Sequence, residues 1–358
     1  MAKTKNALIT GITGQDGAYL AKFLLKKGYS VFGTFRRTST PNFWRLSSLG
    51  IENDVNYISA DLIDTPSLIE AVKISKADEV YHLAAQSYVG SSFDQPVTSG
   101  EFSGLAVTRI LESIRLVDPQ IKFYQASSSE IFGDVKKNLI QNENTPFRPQ
   151  SPYAIAKLYG YWTTKMYRDG YDMFAANGIL FNHESPLRGL EFVTRKITNS
   201  VARIKLGLQK NLVLGNLNGY RDWGYAPEYV EGMWKILQQK NPDDFVLATN
   251  ETHSVEEFVK EAFSHLGLDW KKYVKTDKKY HRILEVDILR GDATKAEKKL
   301  GWKPKTKFKE LVKIMTDVDL QKWEMWQKGE KFAWDAPNYI NEEKTLSRKT
   351  SDLYKKLG

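Results

Sequence analysis

The stretch Asn6-Ala-Leu-Ile-Thr10 runs straight into Gly11-Ile-Thr13-Gly14-Gln15-Asp16-Gly17, and a helical pattern opens at Ala18. A strand, a turn with three glycines and a helix start form the arrangement that holds a pyrophosphate. Glycine permits the tight turn and a close backbone approach, while the helix N-terminus offers unpaired N–H groups at the positive end of its dipole. Three glycines alone say little; their place between a strand and a helix gives them weight.

Outward from this unit, apolar runs at Ala7–Thr10, Val31–Phe35, Val55–Ser59, Glu79–Leu83, Lys122–Ser127 and Met173–Leu180 alternate with amphipathic stretches at Ala18–Lys27, Ser67–Ile74, Gly104–Leu116 and Tyr153–Asp169. Such alternation predicts parallel βαβ units, an α/β fold with a Rossmann-type doubly wound sheet. Phe245–Ala248 is expected to return as a further strand, whereas Val193–Leu206, Val255–Leu266 and Phe308–Trp323 read as helices. The expected division is a dinucleotide-binding domain over residues 1–183, with a return segment at about 220–250. Residues 184–219 and 251–358 then form a smaller, mostly helical substrate lobe, ending in a tail over 329–358.

In a chain of 358 residues, 41% hydrophobic content with 17 Phe, 18 Tyr and 9 Trp builds a sizeable core and excludes disorder as the main state. No cysteine is present, which excludes a disulfide scaffold, a thiol nucleophile and a thiolate metal site. The five histidines form no His-x-x-x-His pair, so no metal is expected. The start of the chain lacks the long apolar region of an export signal, and no window approaches the ~20 apolar residues of a membrane span. A soluble cytoplasmic protein that engages no membrane is the expectation. The 52 Lys+Arg against 43 Asp+Glu leave +9. Because basic residues are scattered and interleaved with acids, as in Lys295–Lys309, small anions rather than nucleic acid are the expected partners.

The second strand is followed by Arg36-Arg37, with no carboxylate until Glu52. Paired guanidiniums clamp a phosphate, whereas an NAD ribose calls for an acidic residue, so NADP is favoured. Asp61-Leu62, after the third strand, is placed to meet an adenine edge. Ser151-Pro-Tyr153-Ala-Ile-Ala-Lys157 sets a tyrosine and a lysine at i, i+4 on one helix face, and a nearby ammonium is expected to lower the phenol pKa toward a useful base. Tyr161 and Lys165 repeat the spacing and read as accidental. Ser128 and Glu130 close the predicted fifth strand, so hydroxyl and carboxylate are expected to reach the crevice beyond the strand ends.

With the glycine turn, the Tyr153/Lys157 pair resembles the short-chain dehydrogenase/reductase superfamily in its extended, sugar-nucleotide branch. Tyr124-Gln-Ala-Ser127, Ser151-Pro-Tyr-Ala154, Asn177 to Pro186, Phe192 to Ile197 and Arg221-Asp-Trp223 narrow the resemblance to the GDP-mannose 4,6-dehydratase family. That resemblance implies a hydro-lyase converting GDP-mannose to a GDP-4-keto-6-deoxy sugar with NADP as a retained cofactor. Tyr153 would take the O4 proton and Glu130 the C5 proton, with Ser128 and Lys157 completing the catalytic group. Leu83, Ala84, Ala85, Ser87, Leu180, Asn182, His183 and Arg188 would join the turn, Arg36 and Arg37 around the cofactor. Ser87, Ser128, Glu130, Asn182, Val193, Lys196, Leu214, Gly215, Arg221, Arg282 and Glu285 would meet the GDP-sugar. A homodimer through Gly104–Leu116 and Tyr153–Asp169 is implied, as is a homotetramer in which the Arg36–Arg45 loop reaches a neighbouring cofactor site.

Two positions depart from the family pattern. Serine stands at 128 where threonine is usual, which keeps the hydroxyl and loses the stiffness of β-branching. Arg282-Ile-Leu-Glu285 stands for Arg-Pro-Ala-Glu, leaving hexose and manno-heptose both open. An epimerase or reductase of the same branch is the third reading, and it would have no need of Glu130.

Overall fold

The computed structural model describes residues 4–40, 42–133, 140–280 and 283–339. Seven strands form one parallel sheet: β1 (Asn6–Thr10), β2 (Ser30–Phe35), β3 (Asn56–Ser59), β4 (Glu79–His82), β5 (Lys122–Ser128), β6 (Ala175–Leu180) and β7 (Phe245–Leu247). Their order is β7-β6-β5-β4-β1-β2-β3. The expected return strand is thus present at the sheet edge, with Phe245 opposite Gly178.

Alternate side chains enter two cores, as the period of two in a strand requires. Leu8, Val80, Phe123 and Ala175 join α2 (Thr65–Ser75) and α3 (Ala106–Val117) on one face. Their neighbours Ile9, Tyr81, Tyr124 and Ala176 face α1 (Gln15–Lys26) and α6 (Ala226–Leu237) on the other. α4 (Pro152–Tyr171) flanks β5 and β6. Two expected boundaries shift. Asp172, at φ +53°, turns the chain after α4 so that β6 begins at Ala175 rather than Met173. α3 is preceded by one wide helical turn, Glu101–Leu105, that prolongs it backwards past Gly104.

The second lobe gathers α5 (Val193–Lys205), α7 (Val255–His265) and α8 (Phe308–Gln327) around Ile197, Trp223, Phe258 and Leu311. Residues 286–302, expected in this lobe, instead send Val286, Leu289, Ala296 and Trp302 into the core of the sheet. The physical reason is apolar area beside α6, where Trp302 Nε1 donates to Glu228 O at 2.8 Å. Of the tail, Trp334 and Ala336 pack against Trp323; residues 340–358 lie outside those described. Among the described residues no helix is long and apolar enough to cross a membrane.

The sheet order reverses between β1 and β4, and the carboxyl ends of β1, β4, β5 and β6 open into one crevice. Ligands of open α/β sheets sit at such a switch point.

Candidate active site

The crevice holds a cavity of about 620 Å³, entered by the glycine turn from one side and by the ends of β5 and β6 from the other. Gly11 has φ +75°, and a Cβ there would sit 2.9 Å from Ala84 Cα. A Cβ on Gly17 would lie 2.3 Å from Gly11 O. Gly14 N–H donates to Gly11 O at 3.0 Å, closing the turn, and Gly14 caps α1 with no side-chain acceptor, so the first-turn N–H groups remain available.

Gly11, Thr13, Gly14, Gln15, Asp16 and Gly17 all border this cavity. So do Arg36, Asp61, Leu62, Leu83, Ala84, Ala85, Ser87, Leu180, Asn182, His183 and Arg188. Arg37 is exposed and does not line it, because consecutive residues beyond a strand point apart. Asp16 and His183 turn toward each other, His183 Nε2 lying 2.8 Å from Asp16 Oδ2. Burial alone would raise the Asp16 carboxyl, but the charge and hydrogen bond of His183 outweigh it and hold the pKa at about 2. His183 is raised by the same pairing, against the effect of its burial. This pair and the Gln15–His183 O hydrogen bond of 3.1 Å fasten the glycine turn to the strand Asn182–Glu184.

Ser151 caps α4 by accepting from Ala154 N–H at 3.1 Å, and Pro152 pre-sets the first turn, so Tyr153 enters the crevice at the helix start. Ser128, Glu130, Tyr153 and Lys157 line one wall together. Burial pushes the Tyr153 phenol up to about 12, while a hydrogen bond with Ser128 pulls it down and the Glu130 carboxylate adds to the rise. The expected lowering by Lys157 is therefore corrected. The ammonium donates to Ala126 O at 2.7 Å and stands 5.8 Å from the Tyr153 ring centre, and burial brings its own pKa down to about 8. Ser128 has a second task, since its Oγ accepts from Glu130 N–H at 3.3 Å and shapes the turn that presents the carboxylate.

The residues expected to meet the substrate's far end do not line this cavity. Lys196 lies 4.4 Å from the Tyr280 ring, and a Cβ on Gly215 would sit 2.7 Å from Tyr280 O, with Leu214 buried beneath. Val193 is exposed at the start of α5, and Glu285 is half-buried. Arg221 Nη1 donates to Tyr220 O at 2.8 Å and lies 3.5 Å from Asp287 O. Arg282 lies outside the described residues. Sequence reading missed Phe102, 5.7 Å from the Arg36 guanidinium at the cavity rim. Phe102 has no local signal, because it meets Arg36 only across folded segments. Asp222, within the Arg221-Asp-Trp223 string, accepts from Thr249 Oγ1, Thr249 N–H and Asn250 N–H.

The cradle suits a dinucleotide: at Gly11 and Gly17 the turn packs too closely on neighbouring backbone for a Cβ, and Ser127 Oγ and Asn182 Oδ1 are buried at its wall without a hydrogen-bond partner. Among the described residues no group of three or more His, Asp and Glu side chains is placed to hold a metal ion.

The family model described as GDP-mannose 4,6 dehydratase matches residues 8–315. GDP-mannose 4,6 dehydratase 2 of Arabidopsis thaliana is 52% identical over 327 residues, covering 88% of this chain and 87% of its own. The Homo sapiens GDP-mannose 4,6 dehydratase is 47% identical over 348 residues, covering 90% and 93%. Among solved structures, the dTDP-glucose 4,6-dehydratase of Bacillus anthracis in complex with NAD superposes with a TM-score of 0.79 at 20% identity, over 91% of this chain and 100% of that one. The Thermotoga maritima UDP-glucose 4-epimerase with UDP-glucose gives 0.78 at 22%, over 89% and 99%.

Proposed function

The chain belongs to the GDP-mannose 4,6 dehydratase family, and from that premise we propose that it dehydrates GDP-mannose to GDP-4-keto-6-deoxymannose with a retained NADP. The observation that supports this most is the convergence of Ser128, Glu130, Tyr153 and Lys157 on the cavity that the glycine turn also borders. A plain oxidoreductase needs hydroxyl, phenol and ammonium, whereas a buried carboxylate on the same wall suits a further proton transfer.

The glycine turn and α1 start would hold the pyrophosphate, Asp61 and Leu62 the adenine side, and Arg36 the 2′-phosphate that favours NADP over NAD. When bound, the cofactor would supply the acceptor for hydride from C4 and its donor to C6, and its oxidised nicotinamide ring would bring a local positive charge to the catalytic wall. Tyr153 takes the O4 proton. Its phenol sits near 12 in the free protein, so it becomes a base only as that positive charge is added. Ser128 shares the Tyr153 proton and holds O4 in register, while Lys157 stays fixed on Ala126 O. Glu130 removes the C5 proton, acidified by the C4 carbonyl, and returns a proton as the C6 hydroxyl leaves as water. Return of that hydride to C6 would leave an enolate, which takes up a proton at C5 by way of Glu130 while Tyr153 releases the O4 proton, with no net redox change.

Lys196, Gly215, Arg221 and the Arg282 segment are assigned to the GDP diphosphate and base. Ile155, Tyr159, Trp162 and Met166 recur along α4 as an exposed apolar stripe, beside Leu105 ahead of α3, and suit a homodimer seam. A tetramer through the Arg36–Arg45 loop remains part of the proposal, as does a cytoplasmic location.

Pure protein incubated with GDP-mannose and catalytic NADP should yield a product lighter by one water without accumulating NADPH. Stoichiometric NADPH would identify a plain dehydrogenase instead. The same mass measurement with a GDP-manno-heptose decides between the two sugars.

A further inference from the structure

The backbone that presents Arg188 to the cavity is gripped by two guanidiniums, Arg195 buried and Arg45 half-buried. Arg195 Nη1 donates to Pro186 O at 2.6 Å and to Arg188 O at 2.9 Å. Arg45, from the short helix Trp44–Ser48, donates through Nε to Leu187 O at 2.7 Å and through Nη1 to Thr13 O at 3.1 Å. Three successive carbonyls are therefore held, and one of the two clamps also binds the glycine turn. The segment delivers Arg188, whose guanidinium borders the cavity, stacks 3.6 Å over Phe192 and lies 3.2 Å from Glu184 Oε2.

Arg195 is fully buried, so its charge needs neutralising partners. Its Nε donates to both oxygens of Asp319 at 2.9 Å, and Thr198 Oγ1 donates to Asp319 Oδ2 at 2.7 Å. Arg195 Nη2 stands 3.6 Å from Asp335 Oδ1. Asp319 is on α8 and Asp335 lies past it, in a segment whose Trp334 packs edge-on to Trp323 at 4.6 Å. Both carboxylates come after residue 315, where the family match ends.

We infer that Asp319 and Asp335 are positioning residues which, through Arg195, lock the backbone of residues 186–188 and so aim the Arg188 guanidinium into the cofactor cavity. The C-terminal segment thereby belongs to the dinucleotide site without touching it. This deepens the proposed function and rests on it only in taking the cavity's ligand to be a nicotinamide dinucleotide.

Asp335, at the edge of the cluster, is the residue to vary, because an Asp319 variant risks misfolding. NADP is titrated into the full-length wild type, Asp335→Asn, Arg188→Ala and the double variant by protein fluorescence, with steady-state turnover alongside. Asp335→Asn should weaken NADP binding and raise its KM about tenfold, with kcat at saturation within about twofold, whereas in the Arg188→Ala background it should add no more than about twofold. Equal losses in both backgrounds, or unchanged affinity, would overturn the inference. Hydrogen exchange on the cofactor-free chain supplies an independent reading: amides of residues 187–190 should exchange faster in Asp335→Asn while those of β1 do not. If the wild type binds neither NADP nor NAD, the functional reading fails, and the exchange result alone still decides the positioning, unchanged exchange refuting it.

Discussion

Tyr153–Lys157 and Tyr161–Lys165 occupy one helix with one spacing, two turns apart, yet they live in different chemistry. Tyr153 meets Ser128 and the Glu130 carboxylate at the strand ends, and its lysine is buried against Ala126 O. Tyr161 donates to Asp244 Oδ2 at 3.2 Å, in a knot where Arg168 holds both Asp244 oxygens at 2.9 Å, and its ring packs edge-on to Phe147 at 5.0 Å. Burial raises both phenols. The i, i+4 spacing puts two side chains on a face; what that face looks at decides whether they do chemistry or hold a helix in place.

The widest separation between the pairs is expected in turnover. Tyr153→Phe should lower kcat by ~10²-fold or more, whereas Tyr161→Phe should stay within about threefold; comparable losses in steady-state assays would erase the contrast. Glu130→Gln should follow, with ~10²-fold slower product formation and slowed exchange of the C5 hydrogen with deuterated solvent. Full activity in that variant would favour an epimerase or reductase. The contrast reverses in stability: Tyr161→Phe should lose about 1 kcal/mol in a denaturant titration, since buried Asp244 loses a donor, while Tyr153→Phe should be nearly neutral.

The smallest effect comes from the opposite wall, where pairing should show in pH. The raised His183 contributes stability below its ordinary value of 6.5 and loses it as pH climbs through the folded value. The depressed Asp16 contributes above its ordinary 3.8 and loses it as pH falls through about 2. The pair is therefore fully stabilising between about pH 4 and 6.5. Asp16→Asn should lower Tm by a few degrees at pH 5–6 and less at pH 9; an equal loss at both would show that the pairing is not ionic.

The strands, the crevice and the meeting of Ser128, Glu130, Tyr153 and Lys157 on one cavity wall were legible because each rests on a local signal. Glycines at 11 and 17 stand where the backbone has no room for a Cβ, and Ser151-Pro152 announces the helix start that places Tyr153. Less legible was the fate of residues 286–302, whose apolar side chains join the sheet core. Arg36 and Arg37 read identically in sequence, yet only Arg36 borders the cavity.

By itself, then, the sequence determined the parallel α/β architecture, the glycine-turn cradle and the kinds of residue on the cavity wall. Those depend on period, turn chemistry and spacing along a few residues of chain. Only the tertiary structure decided the direction of the Tyr153 pKa, the pairing of Asp16 with His183, and the use of Asp319 and Asp335 to brace Arg188 through Arg195. Burial and charge neutralisation are properties of what surrounds a group, and residues 124 positions apart in the chain become neighbours only when the core closes.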